Sequence, residues 1–401
     1  MVLKKRVIAF LITFVLLLSI SQRGLAFSID ARAAILMDPL SGKILFEQNK
    51  DRRWPPASVT KVMTMLLIME AIESGWVKWS DPIRTSAVAA GMGGSQVYLK
   101  EGEEFSLSEM FKTIAVVSAN DASAAVAEHL YGSVQDFIGA MNQRVQKMDL
   151  KNTHFSNETG LPDLNHYSSA YDLALICREL LKYPEVLKHT SIWSDTFRSG
   201  TFQLRNTNEL IRVYRGADGL KTGHTEEAGY CLAATAVKGD FRLLSVILGA
   251  DSDAKRVAET KRLLDYGYRN YQWKVVGKGG KELGKVYLKQ ARPEMAPVKL
   301  KEDFGVSVKR GRDKLVETKL VPSTKLKFPI KPGGKVGSLR AIYQGEILAE
   351  TSVYTTVEVK RANLIVRGWR WLRDWIRGIF KGKDGQSIIY LKFFNNDHNG
   401  L

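Results

Sequence analysis

The chain predicts an α+β fold: one antiparallel sheet flanked by helices, with a helical lobe inserted. Three observations carry that expectation. Strand-type runs occur at residues 31–47 and again at 229–249, with helical patterns filling the interval. A sheet built from both ends of a segment, with helices between, is an α+β layout. One of the helical patterns, residues 59–72, is apolar on nearly every side, so it must be buried rather than lie on a surface. After residue 271 the pattern changes to short β-type runs broken by Gly, Pro and Lys, which predicts a separate small all-β domain.

Taken in order, the chain opens with a basic Lys4-Lys5-Arg6, an apolar run over 7–20 and Gly24-Leu25-Ala26. This is the layout of a secretory signal peptide, residues 1–26; the apolar run is short for an uncleaved membrane anchor. The formal net charge of +17 calls for an anionic partner, and export turns that expectation from nucleic acid towards a membrane surface or a cell-wall polymer. Cys177 and Cys231, the only two cysteines, lie in apolar patterns and read as buried free thiols. No Cys or His pair has zinc-ligand spacing, and neither metal nor cofactor is expected.

Residues 31–38 and 43–47 form a hairpin, and Pro55-Pro56 stops any helix upstream of the buried one. The glycines of 91–94 are not in a phosphate-binding order. Ser106-x-x-Glu109 is a capping box for a helix to about Val117; further helices cover 122–131, 134–148 and 169–182. Asp218-Gly219-Leu220 reads as a turn, followed by a strand pair, 229–237 and 241–249, and a closing helix, 254–268. The resulting division is a catalytic domain over 27–270, a β-rich domain over 271–360, an amphipathic helix over 361–383 and a tail, 384–401, without an interpretable pattern. In that helix Ile365, Trp369, Leu372, Trp375, Ile376 and Ile379 oppose Arg367, Arg370, Arg373 and Arg377, the pattern of a helix lying in an anionic membrane interface. A helix docked on the body of the protein is the bland alternative.

The chemistry starts at Ser58-Val59-Thr60-Lys61. Ser58 and Lys61 share one face at the start of the buried helix. Spacing alone proves little, because Ser252-Asp253-Ala254-Lys255 has it too, at the head of a polar helix where both groups should meet water. Burial would instead strip Lys61 of its proton and make it a base. Ser118-Ala119-Asn120 lies at a helix–helix break, and Lys221-Thr222-Gly223 follows the turn, where Gly223 would let a substrate approach the backbone. Each has a plain reading as caps or as an exposed lysine. Together, in this order, Ser-x-x-Lys, Ser-x-Asn and Lys-Thr-Gly are the signature of serine penicillin-recognising enzymes.

With residues 56–64, Gly94-Ser95-Gln96-Val97, 118–122, Asn157-Glu158-Thr159-Gly160-Leu161, 218–225 and Ala228-Gly229-Tyr230, the chain resembles the low-molecular-mass penicillin-binding proteins that are D-alanyl-D-alanine carboxypeptidases. The resemblance implies the penicillin-recognising serine enzyme fold and peptidoglycan stem peptides as substrate, with β-lactams as inhibitors. It implies Ser58 as nucleophile, and Lys61 as its base, kept neutral by burial and by the charge of Lys221. Ser118 and Lys221 would relay the proton to the leaving D-alanine, and Asn120 would orient substrate and Lys61. Ser58 and His224 N–H groups would form the oxyanion hole; Thr222, Ser118 and Arg256 would take the substrate carboxylate. It also places the exported protein at the outer face of the cytoplasmic membrane, held by its C-terminal helix. A β-lactamase or a DD-endopeptidase of the same fold remains an alternative. So does a silent peptidoglycan-binding scaffold, although that would be free to lose Ser58, Lys61, Asn120 or Lys221.

Overall fold

The computed structural model describes residues 27–380, so the signal peptide and the tail lie outside the described residues. The N-terminal portion has, in order, β1 Ala33–Met37, β2 Ile44–Gln48, α1 Lys61–Glu73, α2 Leu107–Val117, α3 Asn120–Tyr131, α4 Val134–Lys147 and α5 Ala170–Leu180. It closes with β3 Ala217–Thr225, β4 Gly229–Lys238, β5 Phe241–Ala250 and α6 Asp253–Asn270. The five strands form one antiparallel sheet in the order β2-β1-β5-β4-β3.

Helices cover both faces of this sheet. Ala33, Ile35 and Met37 enter the core shared with α1 and α5, while Ala34 and Leu36 enter a second core against α6. That is why β1 reads as an unbroken apolar run rather than an alternating one. The β4–β5 hairpin turns at Gly239-Asp240 as expected, with Gly239 at φ +60°. Cys177 and Cys231 are both buried and free.

One expectation is overturned here. Asp218-Gly219-Leu220 is no turn; it lies inside β3, the edge strand, whose pairing with β4 slips between Ala217 and Gly219. The bulge absorbs the Asp-Gly pair that would otherwise break a strand. The 229–249 hairpin is therefore joined by a third strand, and Lys221-Thr222-Gly223 sits in that strand, not before it.

Residues 271–361 follow as β6 Tyr271–Gly277, β7 Glu282–Tyr287, β8 Met295–Lys299, β9 Phe304–Lys309, β10 Val316–Pro322, β11 Lys335–Tyr343 and β12 Glu346–Thr355. A five-stranded sheet, β7-β8-β12-β11-β10, and the β6-β9 pair enclose a separate apolar core around Val298, Val306 and Leu339. The last element, α7 Leu364–Phe380, starts where expected. Its arginines do not all face water: Arg370 is buried, donating to the Ala291 carbonyl at 2.7 Å and pairing with Glu294 at 3.2 Å, and Arg373 reaches Glu294 at 2.6 Å. Leu364, Ile365, Trp369 and Trp371 are exposed. Among the described residues no helix is long and apolar enough to cross a membrane.

Candidate active site

Ser58 lies in a single 3-10 turn, Ala57–Thr60, that runs directly into α1. Pro56 leads into the turn with helical backbone angles (φ −80°, ψ −11°), and Ala57 takes the left-handed φ of +47° that aims the turn at the site. Ser58 stays half-buried and reachable, whereas Lys61, one turn on, is fully buried.

The Lys61 Nζ has three neighbours: Asn120 Oδ1 at 2.6 Å, the Thr159 carbonyl at 2.8 Å and Ser58 Oγ at 3.2 Å. The Asn120 amide nitrogen donates to the Gly93 carbonyl at 2.7 Å, so its oxygen is the atom that faces Lys61. Two of the three neighbours can only accept. A neutral amine satisfies both with its two protons and is left with its lone pair directed at the Ser58 hydroxyl. Burial is the main cause that brings Lys61 down to about 7, and the charges of Glu158 and Asp121 hold it from falling further. The expected influence of Lys221 is felt the other way: burial drives Lys221 far below its ordinary value, with the charges of Lys61 and Arg256 adding to it. Lys255 in the duplicate motif behaves oppositely. It is half-exposed, paired with Asp30 at 2.7 Å and Asp251 at 2.8 Å, and raised, while Ser252 merely caps α6.

Ser118 and Asn120 flank the break between α2 and α3, with Ser118 at φ +65°. Neither acts as a side-chain cap: Ser118 Oγ is buried without a partner, and Asn120 points at Lys61. Among the described residues Lys221 Nζ reaches only the Thr222 carbonyl, at 3.1 Å, and Thr222 Oγ1 meets Thr207 Oγ1 at 2.6 Å. Gly223 matters for a reason the sequence did not disclose. A Cβ there would lie 2.7 Å from Pro56 O, 2.9 Å from Val59 N and 3.0 Å from Ser58 N. The missing side chain makes room for the turn carrying the nucleophile. His224, exposed at the rim, packs its ring against Tyr230 with centroids 4.1 Å apart and a 30° tilt, and the Arg256 guanidinium lies 5.6 Å from the centre of the same Tyr230 ring. Arg256 is buried rather than solvated, its Nη1 donating to the Gly223 and Cys231 carbonyls at 3.3 Å each.

The 157–161 stretch carries no chemistry that its residue types announce. In the fold Asn157 Oδ1 accepts from the N–H groups of Gly160 at 2.6 Å and Leu161 at 3.1 Å, which curls the loop so that the Thr159 carbonyl faces Lys61. Gly160 (φ +87°) packs so closely that a Cβ would sit 1.9 Å from Ala57 O. Asp121 holds the opposite lip by accepting from Val97 N at 3.1 Å and Leu99 N at 3.0 Å. The signal for both was an asparagine or aspartate beside a glycine-rich or extended stretch, which is too common to single out.

A nucleophile, a buried lysine and a strand bearing a second lysine meet in one cleft, and comparison with known proteins agrees. A family model described as D-alanyl-D-alanine carboxypeptidase matches residues 20–252, and one for the C-terminal domain of penicillin-binding protein 5 matches 271–361. The chain belongs to the D-alanyl-D-alanine carboxypeptidase family. It is 41% identical over 352 residues to D-alanyl-D-alanine carboxypeptidase DacF of Bacillus subtilis, spanning 87% of this chain and 90% of that one. Penicillin-binding protein 5 from Haemophilus influenzae superposes with a TM-score of 0.71 at 31% identity, covering 84% of this chain and 99% of that one. Penicillin-binding protein D2 from Listeria monocytogenes, solved in its ampicillin-bound form, gives 0.55 at 32% identity over 60% of this chain and 98% of its own.

Proposed function

We propose that this family member removes the terminal D-alanine from peptidoglycan stem peptides through an acyl-enzyme on Ser58, and that β-lactams acylate the same serine. The single observation that carries the reading is the Lys61 environment: two obligate acceptors at 2.6 and 2.8 Å and the Ser58 hydroxyl at 3.2 Å. Lys61 takes the Ser58 proton as Oγ attacks the carbonyl carbon of the D-Ala–D-Ala bond. The unpartnered Ser118 hydroxyl and Lys221 hand a proton to the departing amine. N–H groups of Ser58 and His224 stabilise the oxyanion, a contribution of about 3–4 kcal/mol per donor. Thr222 and Ser118 bind the terminal carboxylate. Arg256 completes that site at one remove, by fixing the Gly223 carbonyl. Water then frees the acyl-enzyme. A β-lactam ring keeps its leaving group tethered, so its adduct persists.

Residues 27–270 serve as the catalytic unit and 271–360 as a β-rich spacer. The exposed Trp369 and Ile365 face of α7 rests on the outer face of the cytoplasmic membrane, and no nucleic acid is involved. The test is fluorescent penicillin labelling together with D-alanine release from pentapeptide. Both should vanish in Ser58→Ala; label retained in that variant would sink the acyl-enzyme. Deleting residues 363–401 should move the protein from the membrane to the soluble fraction, and an unmoved distribution rejects the anchor.

A further inference from the structure

The hairpin of Ser194–Phe197 and Phe202–Arg205 has no part in the mechanism above, yet its turn reaches the lip of the cleft. That lip is the segment 93–99, which belongs to no helix or strand, so side chains must take up its backbone groups. From one side α3 holds it. The buried Asp121 carboxylate accepts from Val97 N at 3.1 Å and Leu99 N at 3.0 Å, the Ser95 carbonyl accepts from Asn120 N at 2.7 Å, and the Gly93 carbonyl accepts from Asn120 Nδ2 at 2.7 Å. From the other side comes Arg198 of the hairpin turn. Its Nη1 donates to the Val97 carbonyl at 2.6 Å and its Nη2 to the Tyr98 carbonyl at 2.9 Å.

The fold fixes Arg198 at several points. It stands at a left-handed φ of +52°, and its own carbonyl accepts from Thr201 N at 3.1 Å and Thr201 Oγ1 at 2.8 Å. The guanidinium passes over the rings of Phe197 at 5.2 Å and Phe105 at 5.5 Å, and Glu103 takes its charge. The hairpin itself is footed on α2, where Lys112 Nζ donates to the Thr196 carbonyl at 2.8 Å and pairs with Asp195 at 3.0 Å. A planar fork meets two carbonyls and a carboxylate together, which the single nitrogen of a lysine would not do. Between Asp121 and Arg198, Tyr98 is kept at φ +55°, a conformation that a residue with a Cβ retains only where its surroundings impose it.

The other end of the segment touches the chemistry. Asn120 gives its amide nitrogen to the Gly93 carbonyl and its oxygen to Lys61 Nζ at 2.6 Å. The carbonyl therefore decides which way the amide faces, and without it Asn120 could turn its NH2 group towards the amine. There is little slack: at Gly94, φ +79°, a Cβ would lie 2.7 Å from Asn120 Nδ2.

We propose that Arg198 is a positioning residue for acylation. From outside the cleft it locks residues 93–99, and through the Gly93 carbonyl and Asn120 it keeps the Lys61 amine aimed at Ser58. The proposal rests on Lys61 being the base.

Arg198→Ala and Arg198→Lys are compared with wild type in the full-length protein. Acylation by fluorescent penicillin is resolved into the dissociation constant of the first complex and the rate constant of the acylation step. The rate constant should fall about tenfold in Arg198→Ala and about threefold in Arg198→Lys, which keeps the charge but meets one carbonyl. The dissociation constant should stay within about twofold. Amide exchange in residues 93–99 should quicken in both variants while the sheet stays protected, which separates a loosened lip from a misfolded domain. A lowered urea midpoint with an unchanged rate constant would make Arg198 merely structural and overturn the proposal. So would a weakened first complex with an unchanged rate constant, or exchange that does not move. Lys61→Ala is the separate control: normal acylation there would overturn the base itself, whereas a silent Lys61→Ala beside unmoved Arg198 variants overturns only this inference.

Discussion

Replacing Gly223 by alanine tests whether strand β3 and the nucleophile's turn set each other's position. The new Cβ would meet three backbone atoms, Pro56 O at 2.7 Å, Val59 N at 2.9 Å and Ser58 N at 3.0 Å. None belongs to a side chain that can swing away. To recover the roughly 3.5 Å of an ordinary contact, the turn must retreat by about 0.5–0.8 Å. That retreat carries the Ser58 N–H and Oγ away from the His224 N–H across the cleft. Overpacking of this kind costs about 1–3 kcal/mol of stability. Loss of one aligned oxyanion donor, or a comparable misplacement of the nucleophile, costs about 10²–10³-fold in rate. The assay is the second-order acylation constant with fluorescent penicillin, read beside the urea midpoint. Gly139→Ala in α4, where a Cβ meets nothing within 4 Å, is the control. It should acylate normally and gain up to about 1 kcal/mol from helix propensity. A folded Gly223→Ala that acylates within about threefold of wild type would refute the reasoning.

Two further outcomes are expected. His166 accepts from Ser156 N at its Nδ1 (3.1 Å), so Nε2 carries the proton towards Thr60 Oγ1 at 2.7 Å; burial, the largest cause, lowers the imidazole to about 4. The folded value lies below the unfolded one, so the unfolded chain binds the extra proton first. Stability is therefore full above about pH 6.5 and is lost as pH falls towards 4, by about 3 kcal/mol in all. His166→Gln should lose about 2–3 kcal/mol less than wild type between about pH 7.5 and 4.5 in urea titrations, and equal losses would discard the assignment. Glu294 holds both Arg370 and Arg373, so Glu294→Ala should speed amide exchange in residues 364–373 roughly tenfold while leaving the β-sheet core protected. Unchanged exchange would mean that the pair does not dock α7.

Much of the site was legible because its parts are local. Ser58 and Lys61 are one turn apart, Ser118 and Asn120 straddle one helix break, and Lys221 to Gly223 are consecutive; hydrophobic pattern then separated Lys61 from Lys255. Long-range partners were not legible. Thr159 is 98 residues from Lys61, yet its carbonyl decides which lone pairs the amine faces. Burial of Glu158 was not legible either, since a glutamate in a loop is ordinarily solvated and only the fold buries it. The arginines of α7 read as the polar face of an interfacial helix, because periodicity cannot show that Glu294, just before β8, takes two of their charges.

By itself the sequence determined the order of the main elements other than β3, the buried character of α1 and the residue types able to attack, to accept a proton and to bind a carboxylate. These follow from local periodicity and side-chain chemistry. Tertiary structure alone decided that Gly223 makes room for the turn bearing Ser58 and that Lys61 is surrounded by acceptors. It also decided that the Glu158 carboxyl is buried in the loop strapped along α1. Each of these depends on distance and exclusion of water between segments far apart in the chain, and protonation follows them rather than residue type.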